Sequence, residues 1–137
     1  LRPSFLVETS LKELLERLAE ATMSRKKLDI AVLAGETPEL TADTKITLYR
    51  IAQEALNNVA RHSHATQAKV TLAERDEMVI LSDKDNGRGF EVESPAKERL
   101  GFTIMQERAA SIQAKILLES SRESGTAGSV LCLIQRR

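Results

Sequence analysis

Tryptophan is absent from this chain, cysteine occurs once, and the aromatic residues amount to three Phe and one Tyr in 137 positions. So few aromatics argue against a platform on which nucleic-acid bases could stack. A single Cys132 excludes an internal disulfide framework and fits a reducing compartment. It lies in an apolar run and reads as a buried structural thiol. Net charge is missing as well, with 20 Lys and Arg against 20 Asp and Glu, so nothing marks a binder of nucleic acid or anionic membrane. No apolar run approaches the roughly 20 residues of a membrane-spanning helix, and no signal peptide is visible. No GK[ST] string occurs, which excludes a P-loop. There is no internal repeat and no low-complexity tract. The first residue is Leu1 rather than Met, so the sequence is expected to be a piece of a longer protein, with any membrane segment outside it.

What is present is enough for one domain burying roughly two-thirds of its unfolded surface. Its centre is residues 46–62, ITLYRIAQEALNNVARH, which predict a helix of more than four turns. Tyr49, Ala52, Leu56 and Val59 recur at steps of three and four, the spacing of one buried face. Glu54 and Asn58 form an i,i+4 pair on a neighbouring face, with Arg61 and His62 a turn later. A carboxylate, a carboxamide and a cation in one row suit a metal–phosphate site. Taken alone, such a row is more often a solvated polar stripe.

Around that helix the chain alternates. Residues 9–24 predict an amphipathic helix capped by Thr9 or Ser10, with Leu11, Leu14, Leu15, Leu18 and Met23 on one face. That face needs a partner, either this domain's core or a second helix. A short strand at 28–33 precedes the central helix, for which Thr41 or Asp43 is the expected cap. Strands at 67–74 and 77–83 follow as a hairpin turned at 75–77. Residues 84–100 are polar and irregular, 101–113 return to helical spacing, and two strands near 115–121 and 129–135 are joined by a flexible ESGTAG. One sheet against one helical layer is the expected architecture.

The polar loop opens with Asp85-Asn86-Gly87-Arg88-Gly89. An aspartate at a strand end can accept a hydrogen bond from an exocyclic amine, and the glycines let a ligand approach the backbone. Alone the string is weak, because Asn-Gly is also a common turn. A calcium loop is excluded more firmly: starting from Asp83, Arg88 would occupy the obligatory glycine position.

In combination the pieces are specific. Glu54-x-x-x-Asn58, two strands, Asp85-x-Gly87-x-Gly89 and a Gly101-led helix resemble the ATP-binding domain shared by gyrase, heat-shock chaperone, histidine kinase and MutL proteins. Within that group, RIAQEALNNVARHSHA and GFTIMQERA resemble a sensor histidine kinase of the nitrate/nitrite-sensor type, and LRPSFL resembles the end of a second dimerisation helix. The resemblance implies an α/β (α+β) two-layer sandwich, a Bergerat fold with a mixed sheet of about five strands on three helices. Residues 1–25 would end the dimerisation domain and residues 26–137 would form the ATP-binding kinase domain. It implies ATP and Mg²⁺ as cofactors, with Asn58 holding the metal and Glu54 orienting or deprotonating the attacking imidazole. Arg61 and His62 would contact phosphates or ribose. Asp85 would read the adenine amine, with Gly87 and Gly89 shaping the pocket and Gly101 opening a helix toward phosphate.

The implied activity is transfer of the γ-phosphoryl group to a histidine on the dimerisation domain, for relay to a response regulator. The full-length protein would be a homodimer, and this part would be cytoplasmic with no direct membrane contact. Its own histidines, His62 and His64, are not expected to accept phosphate. The departures are Glu98-Arg99-Leu100, where a further glycine is usual, and Ile104, where many relatives carry glycine. They keep a non-catalytic nucleotide-sensing module open as an alternative, beside a Ser-directed relative of the anti-sigma-factor kind. In the irregular SGTAGSV segment either Thr126 or Ser129 could take the usual hydroxyl position. His64, Phe102, Met105, Glu107 and Arg108 have ordinary structural readings.

Overall fold

The computed structural model describes residues 3–35, 39–62, 64–87, 96–121 and 125–134. Helices α1 (Pro3–Glu8) and α2 (Leu11–Arg25) lead into strand β1 (Asp29–Ala34) and the central helix α3 (Ala42–His62). The hairpin β2 (Gln67–Arg75) and β3 (Met78–Asp85) follows, then α4 (Ala96–Ser111), β4 (Lys115–Ser121) and β5 (Gly125–Leu133). The five strands make one mixed sheet in the order β1-β2-β3-β5-β4. Only β1 and β2 run parallel, joined by α3 as a crossover, and the other pairs are antiparallel. Among the described residues no helix is long and apolar enough to cross a membrane.

Alternation decides which sheet face the helices cover. Ala68, Val70 and Leu72 of β2, Val79 and Leu81 of β3, and Val130 and Cys132 of β5 are all buried. Their strand neighbours, such as Lys69 and Lys84, are exposed. Onto the buried face α3 presents Leu48, Ile51, Ala52, Ala55, Leu56 and Val59, with Tyr49. Burial also pushes the Cys132 thiol up from its ordinary value, as suits an inert core residue.

The apolar face of α2 finds its partner inside the same core. Leu11, Leu14, Leu15 and Leu18 are buried, and α2 packs on α3 and β1. Ser10 caps the helix, its hydroxyl accepting from the Glu13 amide at 3.1 Å. At α3 the cap is Thr41, whose hydroxyl accepts the Thr44 amide at 3.3 Å. Asp43 falls instead in the first turn, where its charge suits the helix dipole.

Two elements begin earlier than the periodicity indicated. Helix α4 starts at Ala96, because Ala-Lys-Glu-Arg-Leu are all good helix formers although Lys97, Glu98 and Arg99 break the apolar spacing. Its other end is a Schellman turn: Gln113 takes φ 56°, and the amides of Ala114 and Gln113 reach back to the carbonyls of Ala109 and Ala110. Strand β5 starts at Gly125, so most of the expected flexible joint is paired with β4.

The β2–β3 turn places both of its central residues, Asp76 (φ 52°) and Glu77 (φ 61°), in the left-handed region. This two-residue geometry matches the sheet twist and favours Asn-Gly. Glutamate there carries a backbone cost of about 1–2 kcal/mol. Glu77→Gly should therefore raise stability by about 1 kcal/mol, read as a thermal midpoint a few degrees higher. An unchanged or lower midpoint would show that the turn is not strained.

Candidate functional site

The site is assembled from one helix face and one strand end, each completed by a glycine from far along the chain. On α3, Glu54 and Asn58 are half-buried one turn apart, and α4 packs across them. The contact is made by Gly101, which is buried. A Cβ there would stand 3.0 Å from Glu54 Oε1, 3.0 Å from Asn58 Nδ2 and 3.3 Å from Asn58 Oδ1. Gly101 therefore does not open a helix as the sequence implied. It lies inside α4 with its amide in the helical ladder, and its missing side chain is what lets the two polar groups sit against that helix.

The second half surrounds Asp85, at the end of β3 and 3% exposed. Its Oδ1 accepts the Gly87 amide at 2.9 Å, and the Thr126 amide also donates to the carboxyl. Its Oδ2 is buried without a partner, the only such side-chain polar atom among the described residues. A buried carboxylate oxygen left open costs free energy unless a ligand donor fills it. Burial raises the Asp85 carboxyl above the ordinary range, while the Gly87 and Thr126 amides pull it back.

The loop that carries Asp85 is held from both sides. Asn86 accepts the amides of Thr66 and Gln67, each at 3.0 Å, and donates to the Thr66 hydroxyl at 3.0 Å. From the other side Gly125, at φ +80°, comes so close that a Cβ would lie 2.4 Å from the Asp85 carbonyl oxygen. Of the two candidate hydroxyls, Thr126 lies on the helix-facing side of β5 and bonds Ser120 at 2.8 Å. Ser129 pairs with Ser82 at 3.0 Å on the opposite face.

The structure thus brings Glu54, Asn58 and Gly101 together, and separately Asp85 with Gly87. Arg61 is exposed near the end of α3, and His62 is its last residue. The His62 side chain and Gly89 lie outside the described residues. His64 sits just past the helix at φ 55°.

Two residues of this site were missed in the sequence. Gly125 was hidden in a stretch without strand character. Asp83 enters the sequence reading only as a calcium ligand, yet it shares the core-facing register of Val79, Leu81 and Asp85. A carboxylate at a core-facing strand position was the available signal. Its pKa is raised to about 7, chiefly by burial and then by the charge of Asp85. For folding the sign is opposite to that of a paired carboxylate: the native state holds the proton more tightly. The contribution is full below the ordinary value of 3.8 and is lost as pH rises through about 7.

A hollow of about 450 Å³ also lies beside the loop, lined by residues that include Asp29, Lys69, Lys84 and Asn86. It contains neither Glu54 nor Asn58, and its lysines point away from the helices.

Among the described residues no three His, Cys, Asp or Glu side chains are grouped to hold a metal by themselves. A hard cation here would take the Asn58 carboxamide oxygen and complete its shell from a nucleotide's phosphates and water, which is how Mg²⁺ is commonly held. The orphaned Asp85 oxygen fits the donor amine of a purine in the same way.

Comparison with known proteins agrees with this geometry. Residues 43–135 match the family described as histidine kinase-, DNA gyrase B- and HSP90-like ATPases. The chain is 38% identical over 133 residues to the sensor histidine kinase MctS of Rhizobium johnstonii, covering 92% of this chain and 28% of that protein. It is 40% identical over 79 residues to the sensor protein VraS of Staphylococcus aureus, covering 58% of this chain and 23% of that protein. The chain therefore spans about a quarter of the length of these relatives. Among solved structures, the histidine kinase domain of the Erythrobacter litoralis blue-light activated kinase EL346 superposes with a TM-score of 0.79 at 17% identity, covering 93% of this chain and 63% of that one. The mycobacterial sensor histidine kinase MprB superposes at 0.70 with 17% identity, covering 94% and 97%. With its mixed five-stranded sheet under a helical layer, this chain belongs to the family of histidine kinase-, DNA gyrase B- and HSP90-like ATPases.

Proposed function

We propose that this chain is the ATP-binding, catalytic part of a sensor histidine kinase of the nitrate/nitrite-sensor type. It binds Mg-ATP and passes the γ-phosphoryl group to a histidine on a dimerisation domain, for relay to a response regulator. The observation that carries the reading is the buried Asp85 Oδ2, which has no hydrogen-bond partner among the described residues and suits one amine donor. Adenine offers an exocyclic amine where guanine offers a carbonyl.

In this reading the chain does little covalent work, and its contribution is positioning. Asp85 fixes the base, framed by Gly87 and Gly89. Arg61 and His62 would contact the ribose or phosphates. Asn58 supplies an oxygen to Mg²⁺, and Gly101 leaves room for that side chain. Bound magnesium would neutralise phosphate charge. Glu54, one turn before Asn58, orients or deprotonates the incoming imidazole. Residues 1–25 would lead in from the dimerisation domain's second helix, although α2 within them is packed into this domain's own core. Their packing on α3 would let movement there reach the helix that carries Glu54 and Asn58. The lone buried thiol supports a cytoplasmic setting.

Titration calorimetry of the chain with Mg-ADP tests the base site. Replacing Asp85 by Ala removes a hydrogen bond to a charged acceptor worth about 1.5–3 kcal/mol, so affinity should fall about ten- to hundredfold. The preference for adenine over guanine should shrink with it. Parent-like binding by Asp85→Ala would place the base elsewhere.

A further inference from the structure

Asp83 is one pleat below Asp85 on the same face of β3, about 7 Å along the strand. Its carboxyl lies over Gly128, its register partner on β5: a Cβ on that glycine would stand 3.1 Å from Asp83 Oδ1 and 3.5 Å from a Leu118 methyl. Glycine at 128 thus makes the space into which the carboxyl turns. Although protein packs closely around it, Asp83 keeps part of its surface accessible, the condition of a group on a cleft wall rather than in a sealed core. Among the described residues this carboxyl has no hydrogen-bond or ion-pair partner, and an apolar side chain would continue the row of Val79 and Leu81.

We propose that Asp83 is a second carboxyl of the base site, one that keeps its proton and donates it as a hydrogen bond to a purine ring nitrogen, directly or through one water. The inference rests on the reading that Asp85 accepts from the adenine amine. The two carboxyls then play opposite parts, the upper one accepting and the lower one donating, and together they face both polarities of a purine edge. This makes Asp83 a specificity-determining residue for adenine nucleotides.

The surroundings decide its charge. Asp85 faces it from its own strand, and β2 and β5 bring Val70 and Gly128 beside it. Leu118 lies across from β4, and α3 turns its carboxylate, Glu54, toward Gly101. Among the described residues no base forms an ion pair with it. Burial and the neighbouring carboxylate therefore both favour the neutral acid, and its pKa of about 7 makes the donor available in mildly acid solution and lost in alkaline solution. By linkage, nucleotide binding should draw in a proton near neutrality.

Titration calorimetry with Mg-ADP from about pH 6 to about pH 8.5, on parent, Asp83→Asn and Asp83→Val, tests this. Protonation of the nucleotide is common to all three proteins, so the ratio of dissociation constants isolates Asp83. The amide of Asp83→Asn is a permanent donor of the same shape, and this variant should keep the low-pH affinity throughout. The parent should weaken relative to it by about tenfold over the range, the value of one hydrogen bond. Asp83→Val should bind about tenfold more weakly than the parent at the acid end. A parent-to-Asn ratio that stays flat with pH overturns the proposal, as does a Val variant that binds like the parent at the acid end. If Asp85→Ala binds like the parent, the adenine reading itself has failed. If Asp85→Ala weakens binding while the Asp83 ratio stays flat, only the second carboxyl is refuted.

Discussion

Gly125→Ala is expected to lose nucleotide binding altogether and to unfold well below the parent's midpoint. Gly125 sits at φ +80°, and an added Cβ would lie 2.4 Å from the Asp85 carbonyl oxygen, 3.0 Å from its Oδ1 and 3.1 Å from the Gly87 carbonyl oxygen. The left-handed backbone alone costs an L-residue about 1–2 kcal/mol. The clash adds more, because two of the three atoms belong to the main chain and cannot swing aside like a side chain. Either β5 slips from β3, or the loop after Asp85 is pushed off and the carboxyl loses the Gly87 and Thr126 amides. A total of about 3 kcal/mol or more is a large share of the 5–15 kcal/mol that hold a domain together. Denaturant unfolding and Mg-ADP titration read the two effects together. Gly35→Ala is the matched control, since nothing lies within 4 Å of its added Cβ. Parent-like binding by Gly125→Ala would show that the turn does not set the Asp85 loop.

The contrast between Asp85 and Gly125 shows where sequence reading stops. Asp85 was legible because its partner is local: the Gly87 amide, two residues on, needs only the D-x-G string. Gly125 lies forty residues away from Asp85 and meets it only because β5 inserts between β3 and β4, a strand order that no local pattern encodes. The stretch Gly125-Thr126-Ala127-Gly128 has little intrinsic strand preference, and pairing with its neighbours overrides that. The central helix was readable for the opposite reason, since a deeply buried face stamps a period of 3.6 on its sequence. Its polar row could not be read from spacing alone, because Glu54 and Asn58 look like any solvated i,i+4 pair until α4 is laid across them. The family resemblance supplied the roles proposed for them, and with them a helix start at Gly101 that the structure moves back to Ala96. That glycine marks a close crossing of two helices rather than the start of one.

That crossing gives a variant in which stability and chemistry should part. Gly101 is inside α4, where glycine costs about 1 kcal/mol relative to alanine, so Gly101→Ala should leave the thermal midpoint unchanged or raise it slightly. The atoms that meet the new methyl group at 3.0 Å are Glu54 Oε1 and Asn58 Nδ2, the far ends of flexible side chains, and they can yield without moving the backbone. In yielding they leave the positions at which one is proposed to orient the acceptor imidazole and the other to hold Mg²⁺. A displacement of about 1 Å in a positioned group can cost about a hundredfold in rate. In the proposed full-length kinase, where this chain would be joined to a dimerisation domain, the few tenths of an ångström that relieve these contacts should lower phosphotransfer from labelled ATP about tenfold. Binding of Mg-free ADP, anchored at Asp85 on the other half of the site, should change by less than about threefold. Parent-like phosphotransfer would mean that the Glu54 and Asn58 side chains tolerate the methyl group where they stand or play no part in the chemistry. A fall in stability that matches the fall in rate would mean that Gly101 serves only to pack α4 on α3.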